Sequence, residues 1–153
     1  MIIRRACPAE AAELSALIFA SKQSNGYDDA FMAQCAKELT LTAQDITDGL
    51  IWVAQGDHLM GCVTLEVDET TRHGQISSFF VDPAHKRRGV GQQLWNVVLA
   101  AAQERGLFRL RLDADPAAVA FYKAMGFVTI GKTPSGSIPG RFLPIMELQI
   151  SAA

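Results

Sequence analysis

The chain has 153 residues, the size of one domain, and its 49% hydrophobic and 20% charged content excludes a disordered tail or a collagen-like repeat. A chain this long buries roughly 68–70% of its unfolded surface, enough for a core without disulfides or a structural metal. The formal charge of −2 conceals an asymmetry: residues 1–69 carry 4 basic and 11 acidic side chains, and residues 70–153 carry 10 and 5, so the second half is suited to meeting an anion.

Ile2 to Arg4 reads as a first strand, and Pro8 opens a helix whose Leu14, Leu17 and Ile18 recur at i, i+3, i+4. A loop follows at residues 21–26. A second helix from about Asp28 is expected to bury Phe31, Cys35 and Leu39, and Thr42 caps a short turn that Gly49 ends. The period then changes to two. Residues 51–55, the Gly56-Asp57 turn and residues 59–67 read as a hairpin, Gly74 closes a polar turn that also holds His73, and residues 75–81 form a third strand. From Val90 a helical stripe of Leu94, Val97, Val98, Ala101 and Ala102 runs to the capping Gly106. Phe108, Leu110 and Leu112 alternate with Arg109 and Arg111 in a further strand. Asp115-Pro116 supplies an N-cap and an N1 proline for a short helix ending at Gly126. Residues 127–130 read as a strand, 133–144 as a loop rich in proline and glycine, and 145–150 as the last strand. This order predicts a mixed sheet with helices on both faces, in one domain spanning 1–153.

Other classes are excluded by what the chain lacks. The N-terminal stretch has no signal-peptide h-region, and no uncharged apolar run reaches the ~18 residues of a membrane span. Cys7, Cys35 and Cys62 have no C-x-x-C spacing, and His58, His73 and His85 lack ligand spacing, so neither a disulfide framework nor a metal site is expected. A cytoplasmic protein with reduced thiols and no membrane partner is the expectation. Trp52, Trp95, Cys35 and Cys62 read as core.

Two stretches carry chemistry. Residues 81–91, Val-Asp-Pro-Ala-His-Lys-Arg-Arg-Gly-Val-Gly, leave a strand through a basic, glycine-containing turn and open a helix. The first amides of a helix have no internal acceptors, and with the helix dipole they form an anion site. The spacing fits neither the P-loop nor the G-x-G-x-x-G dinucleotide fingerprint. The bland alternative is a tight turn with solvated charges. In the second stretch, Asp115 to Phe127, the residues Ala118, Phe121 and Tyr122 share one helix face. A tyrosine so placed ordinarily buries its ring and hydrogen-bonds its hydroxyl.

Together these stretches resemble the GNAT superfamily of acyl-CoA-dependent N-acyltransferases. The phosphate motif [QR]-x-x-G-x-[GA] aligns on Lys86-Arg87-Arg88-Gly89-Val90-Gly91, with lysine in place of glutamine or arginine. The motif N-x-x-A-x-x-[FL]-Y-x-x-x-G-F aligns on Asp115 to Phe127, with aspartate in place of asparagine. Ser21-Lys22, Gly26-Tyr27, Phe31-Met32, Glu38-Leu39-Thr40 and the PSGSIPGR segment at residues 134–141 are similar to a bacterial subgroup.

The resemblance implies a GNAT fold, a mixed central sheet splayed between its middle strands, and acetyl-CoA as acyl donor to a primary amine, with a small molecule favoured over a protein amine. It assigns donor binding to Phe79, Phe80, Val81, Lys86, Arg87, Arg88, Gly89, Val90, Gly91, Gln92, Asp115 and Tyr122. Tyr122 matches the family's general acid. For the base, Glu66 on the hairpin strand is the first candidate and Asp113 the second. Tyr27, Phe31, Ser137 and Arg141 are the candidates for the acceptor pocket, where Arg141 suits a bidentate grip on a carboxylate. Homodimers are common in the family. A CoA-binding protein without catalysis is one alternative. A nucleic-acid module is another, poorly served because the basic residues from Lys86 to Arg111 lack interleaved aromatics suited to stacking.

Overall fold

The computed structural model describes residues 1–151. Strand β1 (Ile2–Arg5) pairs antiparallel with β2 (Leu50–Gln55), which pairs with β3 (Leu59–Asp68), which in turn pairs with β4 (His73–Val81). Strand β5 (Arg109–Asp113) runs parallel to β4, and β7 (Phe142–Gln149) lies between β5 and β6 (Val128–Pro134), giving the order β1-β2-β3-β4-β5-β7-β6. Alternation along β2 sets the two layers. Ile51 and Val53 face a cluster with Leu14, Leu17 and Ile18 of α1 (Ala11–Gln23) and Ile46 of α3 (Ala43–Asp48). Trp52 and Ala54 face the opposite cluster, with Leu94, Trp95 and Val98 of α4 (Val90–Glu104) and Tyr122 of α5 (Val119–Ala124). The mixed sheet with helices on both faces is therefore as expected, and Trp52, Trp95, Cys35 and Cys62 are core.

The middle of the sheet is incomplete. β4 and β5 pair only at His73–Gln75 against Arg109–Arg111, while β4 continues to Val81. β4 is also irregular against β3: the register shifts between Cys62 and Thr64, and Ser78 takes a left-handed φ of 49°. The Cys62 thiol donates to the Ser78 carbonyl at 3.3 Å, and burial pushes that thiol up to about 12.

Several expectations need correction. Helix α2 (Asp29–Cys35) buries Met32 and Cys35, not Phe31, and stops short of Leu39. Gly74 and His73 lie inside β4, because the turn is made upstream at residues 69–72. A Cβ on Gly74 would stand 2.7 Å from Leu110 Cδ2, so the residue is small because the strand packs tightly there. Phe108 is 44% exposed and meets His73 edge-on, whereas Leu107 turns into the core after the left-handed Gly106. The segment 133–144 is not a loop throughout. Pro134 ends β6 and Pro144 sits within β7, where its carbonyl accepts from the Ala114 amide at 2.8 Å. A proline is tolerated in a strand where its missing N–H is not needed.

Candidate active site

A cleft of about 590 Å3 opens where β4 and β5 part. One wall is Ile76 to Val81 of β4, and the other is Leu112, Asp113, Asp115, Ala118, Phe121 and Tyr122. The turn before α4 contributes His85 to Arg87 and Gly89, the first turn of α4 contributes Val90 to Gln92, and Ala117, Ser21 of α1 and Asn25 just beyond it also line the cleft. Arg87 and Gly89 both have left-handed backbone, φ 67° and 79°. Left-handed residues of this kind occur where successive backbone amides form an anion-binding concavity. Gly89 caps α4 without any side-chain acceptor, so the helix's first-turn amides and its positive dipole end are left for a ligand. Holding Arg87, which has a Cβ, in that conformation costs on the order of 1–3 kcal/mol. Nothing lies within 4 Å of a Cβ placed on Gly89, so glycine serves backbone conformation there and not crowding. A Cβ on Gly91 would come 3.2 Å from Phe121, whose ring closes over the turn.

Tyr122 projects from α5 into the cleft and is 7% exposed. Its ring is held edge-on by Phe79, Phe121 and Phe127. Burial, and secondly the charge of Asp115, push the phenol above its ordinary range, so it stays protonated.

Asp115 is the N-cap of the turn Pro116–Ala118, accepting from the Ala117 amide at 2.9 Å. It also accepts from Lys22 Nζ at 3.0 Å and from Tyr27 Oη at 2.9 Å, and Arg141 Nη2 stands 3.7 Å away. Burial opposes its charge, but the bonds from Ala117, Lys22 and Tyr27 win and hold the carboxyl below its ordinary value. Tyr27 is pushed up to about 12 by burial and by Asp115. The Tyr27 and Phe31 rings stack at 4.1 Å, and both Lys22 and Arg141 lie against them.

The acetyltransferase (GNAT) family model matches residues 16–127. The chain belongs to the GNAT acetyltransferase family. Among its relatives, the uncharacterized N-acetyltransferase YsnE of Bacillus subtilis is 36% identical over 94 residues, 57% of this chain and 59% of that protein. N-acetyltransferase 8 of Homo sapiens is 29% identical over 122 residues, 74% of this chain and 54% of that protein. The aligned region thus spans less than two thirds of either relative's length. The PaiA N-acetyltransferase of Thermoplasma acidophilum, solved in complex with coenzyme A, superposes with a TM-score of 0.82 over 97% of this chain and 98% of that one. At 17% identity the likeness shows the GNAT fold.

Within this GNAT fold, Phe79, Phe80, Val81, Lys86, Arg87, Gly89, Val90, Gly91, Gln92, Asp115 and Tyr122 all line the cleft, and Arg88 lies on the same turn. Glu66 is not brought there. It is exposed on β3 opposite Gln75, at the closed end where β4 is still bonded to β5. Asp113 does line the cleft. Tyr27 and Arg141 come together at Asp115 beside the cleft with Phe31 stacked on Tyr27, and Ser137 lies on the 135–141 loop with its Oγ buried and unpartnered among the described residues. Lys22 and His85 gave no catalytic signal in the sequence. Lys22 reaches its partner across 93 positions, and His85 meets His58 with 2.7 Å between Nε2 atoms.

Proposed function

We propose that this GNAT protein transfers an acetyl group from acetyl-CoA to a primary amine, favouring that of a small molecule. The observation that carries the reading is the cleft itself, an anion-binding helix start at one end and a buried protonated tyrosine in its wall. The residues suit such a donor. Amides at Arg88 to Gly91 suit a pyrophosphate, with Lys86 and Arg87 adding charge. Beyond Gln75, β4 has no strand partner on its β5 side among the described residues, so Phe79 to Val81 offer backbone groups to an extended amide-bearing arm. Acetyl-CoA supplies the thioester whose acyl carbon the amine attacks.

Tyr122 offers its hydroxyl to the departing thiolate. A phenol near pKa 10 donating to a thiolate whose thiol has a pKa near 8.5 is already uphill by about 2 kcal/mol in water, and burial of Tyr122 widens that gap. Tyr122 therefore acts by hydrogen-bonding the developing thiolate, with its proton moving late. Asp113 takes the place proposed for a base: it is the cleft-lining carboxylate outside the Lys22–Asp115–Arg141 ion cluster, and it receives the amine's proton directly or through water.

The test is thiol release from acetyl-CoA against a panel of amino acids, polyamines, aminoglycosides and peptides. Release with one class of amine is expected. Tight CoA binding without release for any amine would make the chain a binding protein and overturn the reading.

A further inference from the structure

The cations around Asp115 outnumber the charge that answers them. Lys22 and Arg141 are both part-buried, their side chains 12% and 18% exposed, and the carboxylate that reaches either is Asp115 alone among the described residues. Glu38 packs against Gly136 on the 135–141 loop yet makes no ion pair among the described residues. Tyr27 keeps its proton and contributes no charge. Among the side chains that pair directly, Lys22 and Arg141 against Asp115, the cluster carries one positive charge in excess.

The excess sits on Arg141. Lys22 donates to Asp115 at 3.0 Å, but Arg141 stands 3.7 Å from the same oxygen and makes its one side-chain hydrogen bond to Tyr27 Oη at 2.8 Å. A guanidinium has five N–H donors in a planar fork, and the rest of this fork is uncommitted among the described residues. Its plane is steadied by the Tyr27–Phe31 stack, with the guanidinium carbon 5.3 and 5.0 Å from the two ring centres. A cation held against aromatic faces, with donors unspent, is pre-organised for a planar or tetrahedral oxyanion. The same loop holds the unpartnered Ser137 Oγ. Asp115 joins this cluster to the cleft wall, so an anion bound here lies next to the proposed transfer site.

We propose that Arg141, steadied by Tyr27 and Phe31, is the anion subsite of the acceptor pocket, so that the acceptor is an amine that also carries a carboxylate or phosphate. The inference rests on the acetyl-transfer reading, and it narrows the substrate class to zwitterionic or phosphorylated amines.

The experiment compares matched acceptors with the intact protein: leucine against leucinamide, and phosphoethanolamine against ethanolamine. Paired amines differ in their own pKa, so the readout is the ratio of kcat/KM within each pair, compared between wild type and Arg141→Gln. That ratio should fall at least about tenfold in one pair, the scale of a lost charge-assisted bidentate contact. The pair in which it falls separates carboxylate from phosphate. Arg141→Lys, which keeps charge but not the fork, should lie between the two. A ratio that falls less than about tenfold in both pairs, or thiol release with other amines and with neither anionic member, overturns the proposal. If no amine releases thiol, the acetyl-transfer reading fails, and calorimetric binding of the same amines to the CoA-loaded protein decides the subsite. Anionic members that bind wild type and weaken tenfold in Arg141→Gln sustain it, and absence of binding by both anionic members overturns it.

Discussion

Replacing Asp115 by asparagine isolates the charge at the centre of the cluster. Asparagine keeps an oxygen for the Ala117 amide and remains a good N-cap, so what is lost is the negative charge facing Lys22 and Arg141. The Asp115 side chain is 15% exposed, and solvent replaces little of what is removed. The charge-assisted bond from Lys22 Nζ, 3.0 Å long, is of a kind worth about 1.5–3 kcal/mol. The 3.7 Å approach of Arg141 lacks a hydrogen bond and adds less. A loss of about 2 kcal/mol lowers the melting temperature by about 4–8 °C for a chain of this size. The pH dependence supplies a second check. Asp115 has a folded pKa below its unfolded value near 3.9. Its stabilisation is therefore present above the unfolded value and disappears as pH falls through the folded one. Thermal unfolding of wild type and Asp115→Asn should show the full gap at pH 7 and a closing gap below about pH 4. Equal melting temperatures at pH 7, or a gap that stays constant into acid, would refute the argument.

Three further outcomes follow from the geometry. Tyr122→Phe should lower kcat by about 10²-fold while the dissociation constant for CoA, measured by calorimetry, stays nearly unchanged; unchanged turnover would remove Tyr122 from the chemistry. Gly74→Ala should cost about 1–3 kcal/mol in urea unfolding, because its methyl would meet Leu110, Leu107 and Leu65 at 2.7 to 3.0 Å. In native protein a thiol-specific disulfide reagent should modify exposed Cys7 quickly and Cys62 only on unfolding, since burial pushes the Cys62 thiol up to about 12 and leaves almost no thiolate near pH 8.

What the sequence revealed is what is local. Leu94 and Val98 on α4, the Thr42 cap, and the alternation through Ile51 to Ala54 each declare themselves within a few residues, and each is where it was expected. The phosphate-type turn was equally local. The errors lie where pairing with distant strands overrides local composition. Pro134 and Pro144 read as loop residues, but β7 fills the gap between β5 and β6 and draws both into the ladder. Phe108 fits an alternating face on paper, yet the chain emerges from the Gly106 turn with Leu107 inward. Glu66 stands exposed opposite Gln75, a placement that spacing alone does not give, because which end of β3 faces the cleft depends on where β4 and β5 separate. Tyr27 and Arg141 read as acceptor-side residues, while their meeting at Asp115, across 88 and 26 positions of chain, has no signature in spacing.

The short ladder between β4 and β5 gives the sheet an edge in its interior. A ligand that lies along Ile76 to Val81 takes the place of the absent strand, so the fold is completed from outside. If that ligand is the proposed acyl donor, mass action ties the protein's endurance to it. A ligand at a hundred times its dissociation constant adds about 2.7 kcal/mol to the folded state, comparable with the whole Lys22–Asp115 contact. On the proposed reading, resistance to heat and proteolysis rises with the logarithm of the donor concentration around the molecule.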